Sequence, residues 1–138
     1  MTTDTPDAKK VLVVEDDEPT LKALRIVLEG AGLTVLEAVN GIGGLTVALA
    51  DLPDIILLDI LMPVMDGWEM LRQLRESGDW GKCVPVVILT NLSADEDEQI
   101  RNIAALGPSY FMVKADWKAE GVVDKVLEIL SAEKVPCP

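Results

Sequence analysis

The chain has 138 residues, enough for one domain that buries roughly 65–70% of its unfolded surface, and its 49% hydrophobic and 26% charged residues are a globular balance. A formal net charge of −12 disfavours direct binding to nucleic acid or to an anionic lipid surface. The sequence contains no histidine, which excludes a His-based metal site, a Ser-His or Cys-His catalytic pair and phosphohistidine on this chain.

Residues 1–8 are polar, carry no apolar signal segment and read as a flexible tail. The apolar run 11–14 is a first strand and leads directly into Glu15, Asp16 and Asp17. Pro19 suits the first turn of a helix whose apolar stripe is Leu21, Leu24, Val27, Leu28 and Ala31, stopped by Gly30 and Gly32. Residues 34–38 form a second, less apolar strand, as expected at a sheet edge, and a helix over about 42–51 turns Leu45, Ala48 and Leu49 inward. Beyond Pro53 the apolar run 55–58 is a third strand, ending on Asp59. The loop 61–65 leads to Asp66, which with Glu69 forms a capping-box pattern for a third helix with Met70, Leu71 and Leu74 inside. Ser77, Gly78 and Gly81 end that helix. The run 86–89 is a fourth strand ending on Thr90, after which Ser93 and Glu96 open a fourth helix with Ile100, Ile103 and Ala104 on its inner face. The run 110–113 is a fifth strand ending on Lys114, and a last helix over about 118–132 buries Val122, Val123, Val126, Leu127 and Leu130.

Strictly alternating strands and helices predict an α/β fold with a doubly wound, five-stranded parallel sheet: one domain over 9–132 and a short tail over 133–138. Continuous apolar runs of four residues suit strands covered on both faces. The longest charge-free stretch, 38–50, is shorter than the ~20 residues a membrane helix needs. A soluble, cytoplasmic protein is therefore expected, with Cys83 and Cys137 as reduced thiols because they are too few and too unpatterned for a zinc site or disulfide framework.

In an open parallel sheet, ligands bind at the carboxyl ends of the strands, and the order 2-1-3-4-5 sets strands 1 and 3 side by side. Glu15 and Asp16 would then lie next to Asp59, with the Thr90 hydroxyl and the Lys114 ammonium on the same edge. Oxygen-only ligands select a hard cation, and Mg²⁺ takes one or two carboxylates while keeping several waters. Asp17 and Glu18 need no such role, since acids at a helix N-terminus cap it and face water. Asp59 has no helix signal beside it. It is either an oxygen ligand only or also a nucleophile that accepts a phosphoryl group, whose charge Mg²⁺, Lys114 and Thr90 are suited to neutralise.

Four motifs in order carry a resemblance: Val-Leu-Val-Val-Glu15-Asp16-Asp17; Asp59-Ile-Leu-Met-Pro63 with Asp66-Gly67; Val-Ile-Leu-Thr90; and Phe111-Met-Val-Lys114. Over about residues 9–132 the chain resembles a response-regulator receiver domain of two-component signalling, of the chemotaxis-regulator kind. The 2-1-3-4-5 sheet order is that family's own. The resemblance implies that Asp59 is the phosphoacceptor, that Asp16 and Asp59 bind Mg²⁺ directly with the backbone carbonyl of Leu61, and that Glu15 acts through a water. Lys114 would pair with the acceptor and then with the phosphoryl oxygens, Thr90 would close on the phosphoryl group, and Phe111 would change rotamer with it. The implied partners are a histidine kinase or histidine phosphotransfer protein and a downstream protein target, reached through the surface of the fourth helix, fifth strand and fifth helix. Monomer and phosphorylation-dependent dimer are both compatible with this reading. With no DNA-binding segment after residue 132, a stand-alone or excised receiver is expected. Tyr110, Phe111 and Trp117 lie close together in a chain with five aromatics, and that region is expected to anchor a partner.

Three positions depart from the family's usual pattern. Asn91 and Leu92 follow Thr90 where a small and a polar residue are frequent, and Ala115 follows Lys114 where proline in a cis bond is usual. A cis bond before alanine costs about 2.5–4 kcal/mol, so a trans bond and a reshaped loop are expected. Three other readings compete. A receiver-like scaffold that works without phosphorylation is the main rival. An aspartate-nucleophile phosphatase would need a second acid two residues past Asp59, where Leu61 stands. A flavin or nucleotide binder would need a Gly-rich or Ser/Thr-rich phosphate loop after the first strand, where the chain is acidic.

In the family, the side chains two residues beyond the acceptor and two beyond the threonine flank the path of the water that hydrolyses the acyl phosphate. Here these are Leu61 and Leu92, which neither hydrogen-bond nor orient a water. The phosphorylated form is therefore expected to be long-lived, and the variant Leu61→Asn/Leu92→Glu to dephosphorylate faster than wild type. An unchanged or slower rate in the double variant would show that the leucines do no more than pack.

Overall fold

The computed structural model describes residues 8–59, 65, 67–90, 109–113 and 118–131, with Thr90 and 109–113 placed by their backbone. In chain order the elements are β1 (Lys10–Val14), α1 (Glu18–Gly30), β2 (Thr34–Ala38), α2 (Gly41–Asp51), β3 (Ile55–Asp59), α3 (Gly67–Glu76), α4 (Asp79–Cys83), β4 (Val86–Thr90), β5 (Ser109–Val113) and α5 (Ala119–Ser131). All five strands are parallel in one sheet of order β2-β1-β3-β4-β5. This is the expected doubly wound arrangement.

The apolar runs are continuous because each strand feeds two cores. Leu12, Val14, Ile56, Leu58 and Ile88 point to one face and pack with Ala48 of α2 and Met70, Leu71 and Leu74 of α3. Their neighbours Val11, Val13, Ile55, Leu57, Val87 and Leu89 point to the other, against Leu21, Leu24 and Leu28 of α1 and Val122 and Val126 of α5. A strand alternates its side chains between faces, so only an unbroken apolar run serves both layers. The edge strand β2 is half-buried over most of its length, as its weaker pattern predicted.

Local signals set the helix ends. Asp17 caps α1 by accepting from the Thr20 amide at 3.1 Å and from the Thr20 hydroxyl. Gly30 is the last residue of α1, and the stop falls at Gly32, whose φ of +89° is unstrained only without a Cβ. Ala31 lies outside the helix and is exposed instead of completing the stripe. Asn40 caps α2, its side chain accepting from the Gly43 amide at 2.8 Å.

Several expectations need correction. Leu49 faces solvent at 45% exposure instead of packing inward, because Gly44 and Ala48 carry the inner face of α2. A Cβ at Gly44 would lie 2.9 Å from both Met70 Sδ and Val14 Cγ2, so the helix comes too close there for any side chain, while Leu45 packs half-buried against the core as expected. Leu127 is likewise 38% exposed, since α5 docks through Val122 and Val126. Gly81 does not lie in a loop: it sits inside the short helix α4, pressed against the Leu74 carbonyl at the end of α3. Buried Arg75 ties that junction together, donating to the Gly81 and Val84 carbonyls at 3.0 and 2.6 Å, while burial pulls its guanidinium down to about 10. Cys83 is disulfide-bonded, not a reduced thiol. Spacing rules could not detect this, because two isolated cysteines form no pattern and only the tertiary fold decides which come close.

Other expectations lie outside the described residues. These are the capping residue Asp66, the helix opened by Ser93 and Glu96 with Ile100, Ile103 and Ala104, the Lys114-Ala115 bond, Trp117, Cys137, residues 1–7 of the first tail and the tail 133–138. Glu69 engages its own helix, where Arg72 and then Gln73 hold its carboxyl down at about 2. No helix among the described residues is long and apolar enough to cross a membrane.

Leu52 ends α2 in the left-handed conformation, at φ 49° and ψ 62°. A branched side chain is strained there by about 1 kcal/mol, whereas asparagine adopts this conformation readily. Leu52→Asn is expected to raise unfolding stability by about 0.5–1 kcal/mol, read from the urea midpoint at unchanged slope.

Candidate functional site

Two backbone facts build the site. In the β1–β3 pairing Val14 lies opposite Leu58, so the residues just after Val14 reach the level of Asp59 at the carboxyl edge. The amide of Glu15 then donates to the Ala38 carbonyl at 3.0 Å, extending the β2 side of the sheet by one bond and fixing where the acidic turn begins. Glu15 and Asp59 are almost fully enclosed, at 1% and 5% exposure, while Asp16 faces solvent. One carboxylate oxygen from each of the three lies within 4.8 Å of the other two, the arrangement expected from the sequence.

Asp17 is separate. Its carboxylate caps α1 and its amide donates to Glu15 Oε1 at 3.2 Å, so the third acid of the motif orients the first. This agrees with its reading as a capping residue.

Two unit charges 4.8 Å apart repel by on the order of 3 kcal/mol at an effective dielectric near 20. Three carboxylates in that space are held together by the strands that carry them. Their donors are hard oxygens, two of them shielded from bulk water and one open to it. A small divalent cation with part of its water shell fits such a set, and soft thiophilic metals do not.

The remaining site residues are placed only in part. Thr90 ends β4 one residue beyond Leu89, which lies opposite Asp59, so its backbone stands at the same edge of the sheet. Phe111 pairs with Ile88 in β5, and Val113, the last residue of β5, pairs with Thr90. Lys114, next in the chain, lies outside the described residues, as do Leu61 and Leu92.

The sequence reading passed over the Asn40-Gly41 pair. Gly41 is buried, and its amide donates to the Met65 carbonyl at 3.2 Å, joining the start of α2 to the chain that has just left Asp59. The available signal was an N-cap residue followed by glycine directly after a strand.

Residues 11–126 match the family model described as the response regulator receiver domain. A probable transcriptional regulatory protein, SilR of Salmonella typhimurium, is 37% identical over 105 residues, covering 76% of this chain and 44% of its own length. Response regulator MprA of Mycobacterium ulcerans is 41% identical over 81 residues, 59% of this chain and 34% of its own. The chain thus spans less than half the length of these curated relatives. Among solved structures, the chemotaxis protein CheY4 of Vibrio cholerae superposes with a TM-score of 0.78 at 28% identity, covering 88% of this chain and 98% of that one. The family model takes in β1 from its second residue, the whole of β2, β3, β4 and β5 and every acid of the cluster, and on that match the chain belongs to the response regulator receiver domains of two-component signalling.

Proposed function

We propose that the chain accepts a phosphoryl group on Asp59 from the phosphohistidine of a histidine kinase or histidine phosphotransfer protein, in a Mg²⁺-dependent reaction. The observation that carries this reading is the gathering of Glu15, Asp16 and Asp59 within 4.8 Å at the carboxyl edge of the sheet. An Asp59 carboxylate oxygen attacks phosphorus, the P–N bond of the donor breaks, its electron pair returns to the imidazole nitrogen, and an acyl phosphate remains on Asp59. Enclosure of Asp59 on the end of a rigid strand aims its oxygens and limits competing water.

Asp16, Asp59 and the Leu61 carbonyl would hold Mg²⁺ directly, and Glu15 through a water. The ion, when bound, neutralises charge on the phosphoryl oxygens. Lys114 and Thr90 supply a further cation and a hydroxyl donor to those oxygens. Thr90 closing on the phosphoryl group, with Phe111 changing rotamer, then alters the surface formed by the predicted helix after Ser93, β5 and α5. That surface addresses a downstream protein. The unit is a signalling module over 9–132, catalysing only its own phosphorylation and dephosphorylation in the cytoplasm.

Two outcomes are expected. With acetyl phosphate and Mg²⁺, intact mass should show one added phosphoryl group in the wild type and none in Asp59→Asn; no addition in the wild type, or an undiminished one in the variant, overturns the proposal. Separately, Asp59→Asn relieves repulsion in the cluster, so it should raise stability without Mg²⁺ by on the order of 1 kcal/mol. The same change should abolish most of the Mg²⁺-induced gain, which in the wild type is about 1.4 kcal/mol at tenfold excess over Kd. Urea unfolding with and without the ion measures both.

A further inference from the structure

Six large apolar residues stand exposed among the described residues, and four of them, Val39, Ile42, Leu49 and Leu52, fall on α2 or beside its ends. The chain has a net charge of −12, yet α2 carries no ionisable side chain before its last residue, Asp51. A surface helix ordinarily turns polar residues to water, and one that is apolar on both faces is covered on both. The inner face of α2 is covered by β1 and α3, where Gly44 meets Val14 and Met70 and Ala48 is buried. Its outer face lies in water, with Ile42 and Leu49 exposed at 50 and 45%.

That outer stripe is suited to an apolar contact. Ile42, Thr46 and Leu49 follow at the i, i+4 and i+7 spacing of one helical face. The Thr46 hydroxyl donates to the Ile42 carbonyl at 2.9 Å, so covering the stripe leaves no hydroxyl donor unsatisfied. A large branched side chain stands on each side of Thr46, four residues before it and three after. Such a stripe matches itself when a second helix is laid against it antiparallel. Ile42 of each copy then meets Leu49 of the other, and the two Thr46 side chains meet near the axis. A twofold contact of this kind is the commonest arrangement of soluble dimers.

Charge selects the occupant. Two chains of −12 repel across any surface that carries their acids, so a second copy approaches at least cost through a face without them. A basic partner is drawn instead to the acidic remainder of the molecule, and finds no charge to pair on this stripe. We propose that the outer face of α2 is a self-association surface, on which a second copy of this chain docks through Ile42, Thr46 and Leu49 about a twofold axis. Because β2 and β5 are opposite edges of the sheet and α5 packs in the other layer, the contact leaves β5 and α5 free. The whole of α2 is only about 16 Å long, too short to supply the ~800 Å² per partner of a standard interface, so the dimer is a weak one.

Sedimentation equilibrium of the full chain, without a phosphoryl donor, tests this between about 10 µM and about 1 mM, the range that suits an interface below standard size. The wild type is expected to pass from monomer to dimer over that range. Dimerisation should strengthen from about 0.05 M to about 0.5 M salt, because screening relieves repulsion between acidic chains and an apolar contact has no ion pair to lose. Ile42→Glu and Leu49→Lys each bring two charges into the contact and should weaken it on the order of tenfold or more. Both positions are exposed, so the fold is retained, which the urea midpoint verifies. An equimolar mixture of the two variants should regain the dimer, since position 42 of one copy faces position 49 of the other. Ile26→Lys and Leu127→Lys, at exposed apolar residues of α1 and α5, should dimerise as the wild type does. A wild type that stays monomeric overturns the proposal and gives the stripe to a different occupant. A dimer that survives both α2 variants, weakens with salt or is not restored in the mixture overturns it as well.

Discussion

The parallel pairing of β1 with β3 is the constraint from which the rest of the molecule follows. It sets Val14 opposite Leu58, and the chain must then release Glu15 and Asp16 beside Asp59. Mutual repulsion would drive three carboxylates apart in a flexible chain. Here eight apolar residues of the two strands, Val11 to Val14 and Ile55 to Leu58, are essentially fully buried. At roughly 1.5–3 kcal/mol for each large side chain, their gross burial exceeds the few kcal/mol by which neighbouring acids repel. The strands win, and the acids stay clustered.

The same pairing places the helices. Because β1 and β3 are covered on both faces, α2 and α3 lie on one side and α1 and α5 on the other. The α2 side is the tighter one, with glycine at 41 and 44 and alanine at 48 turned inward. Small residues let α2 come close to β1 and α3, and close approach brings its N-terminal amides within reach of the chain that leaves Asp59. Two large apolar residues of α2, Ile42 and Leu49, are left exposed, while Leu45 and Val47 pack half-buried against the core.

Membership of the receiver family rests on a match across residues 11–126, while the relatives themselves extend well beyond the matched region. What is common to them and this chain is the receiver unit. In it the strand ends, not the loops alone, position the acidic cluster.

Much of this was legible in the sequence because it is local. Four-residue apolar runs specify strands covered twice, Asp17 and Pro19 mark the start of α1, and a lone aspartate at the end of such a run stands out without any alignment. The acidic cluster also followed, once strand order joined strand 1 to strand 3. What the sequence could not settle depends on which distant surfaces meet. Leu49 and Leu127 have the right helical spacing to be buried, yet α2 and α5 dock through smaller neighbours and leave them outside. Gly81 looks like a helix stop and lies within α4, and Cys83 is paired by proximity that no spacing encodes. Gly41 reads as an ordinary residue after a cap until Met65 is found 2.6 Å from where its side chain would begin. Periodicity and capping act over a few residues and are written in the chain; close approach between segments is decided only when the layers pack.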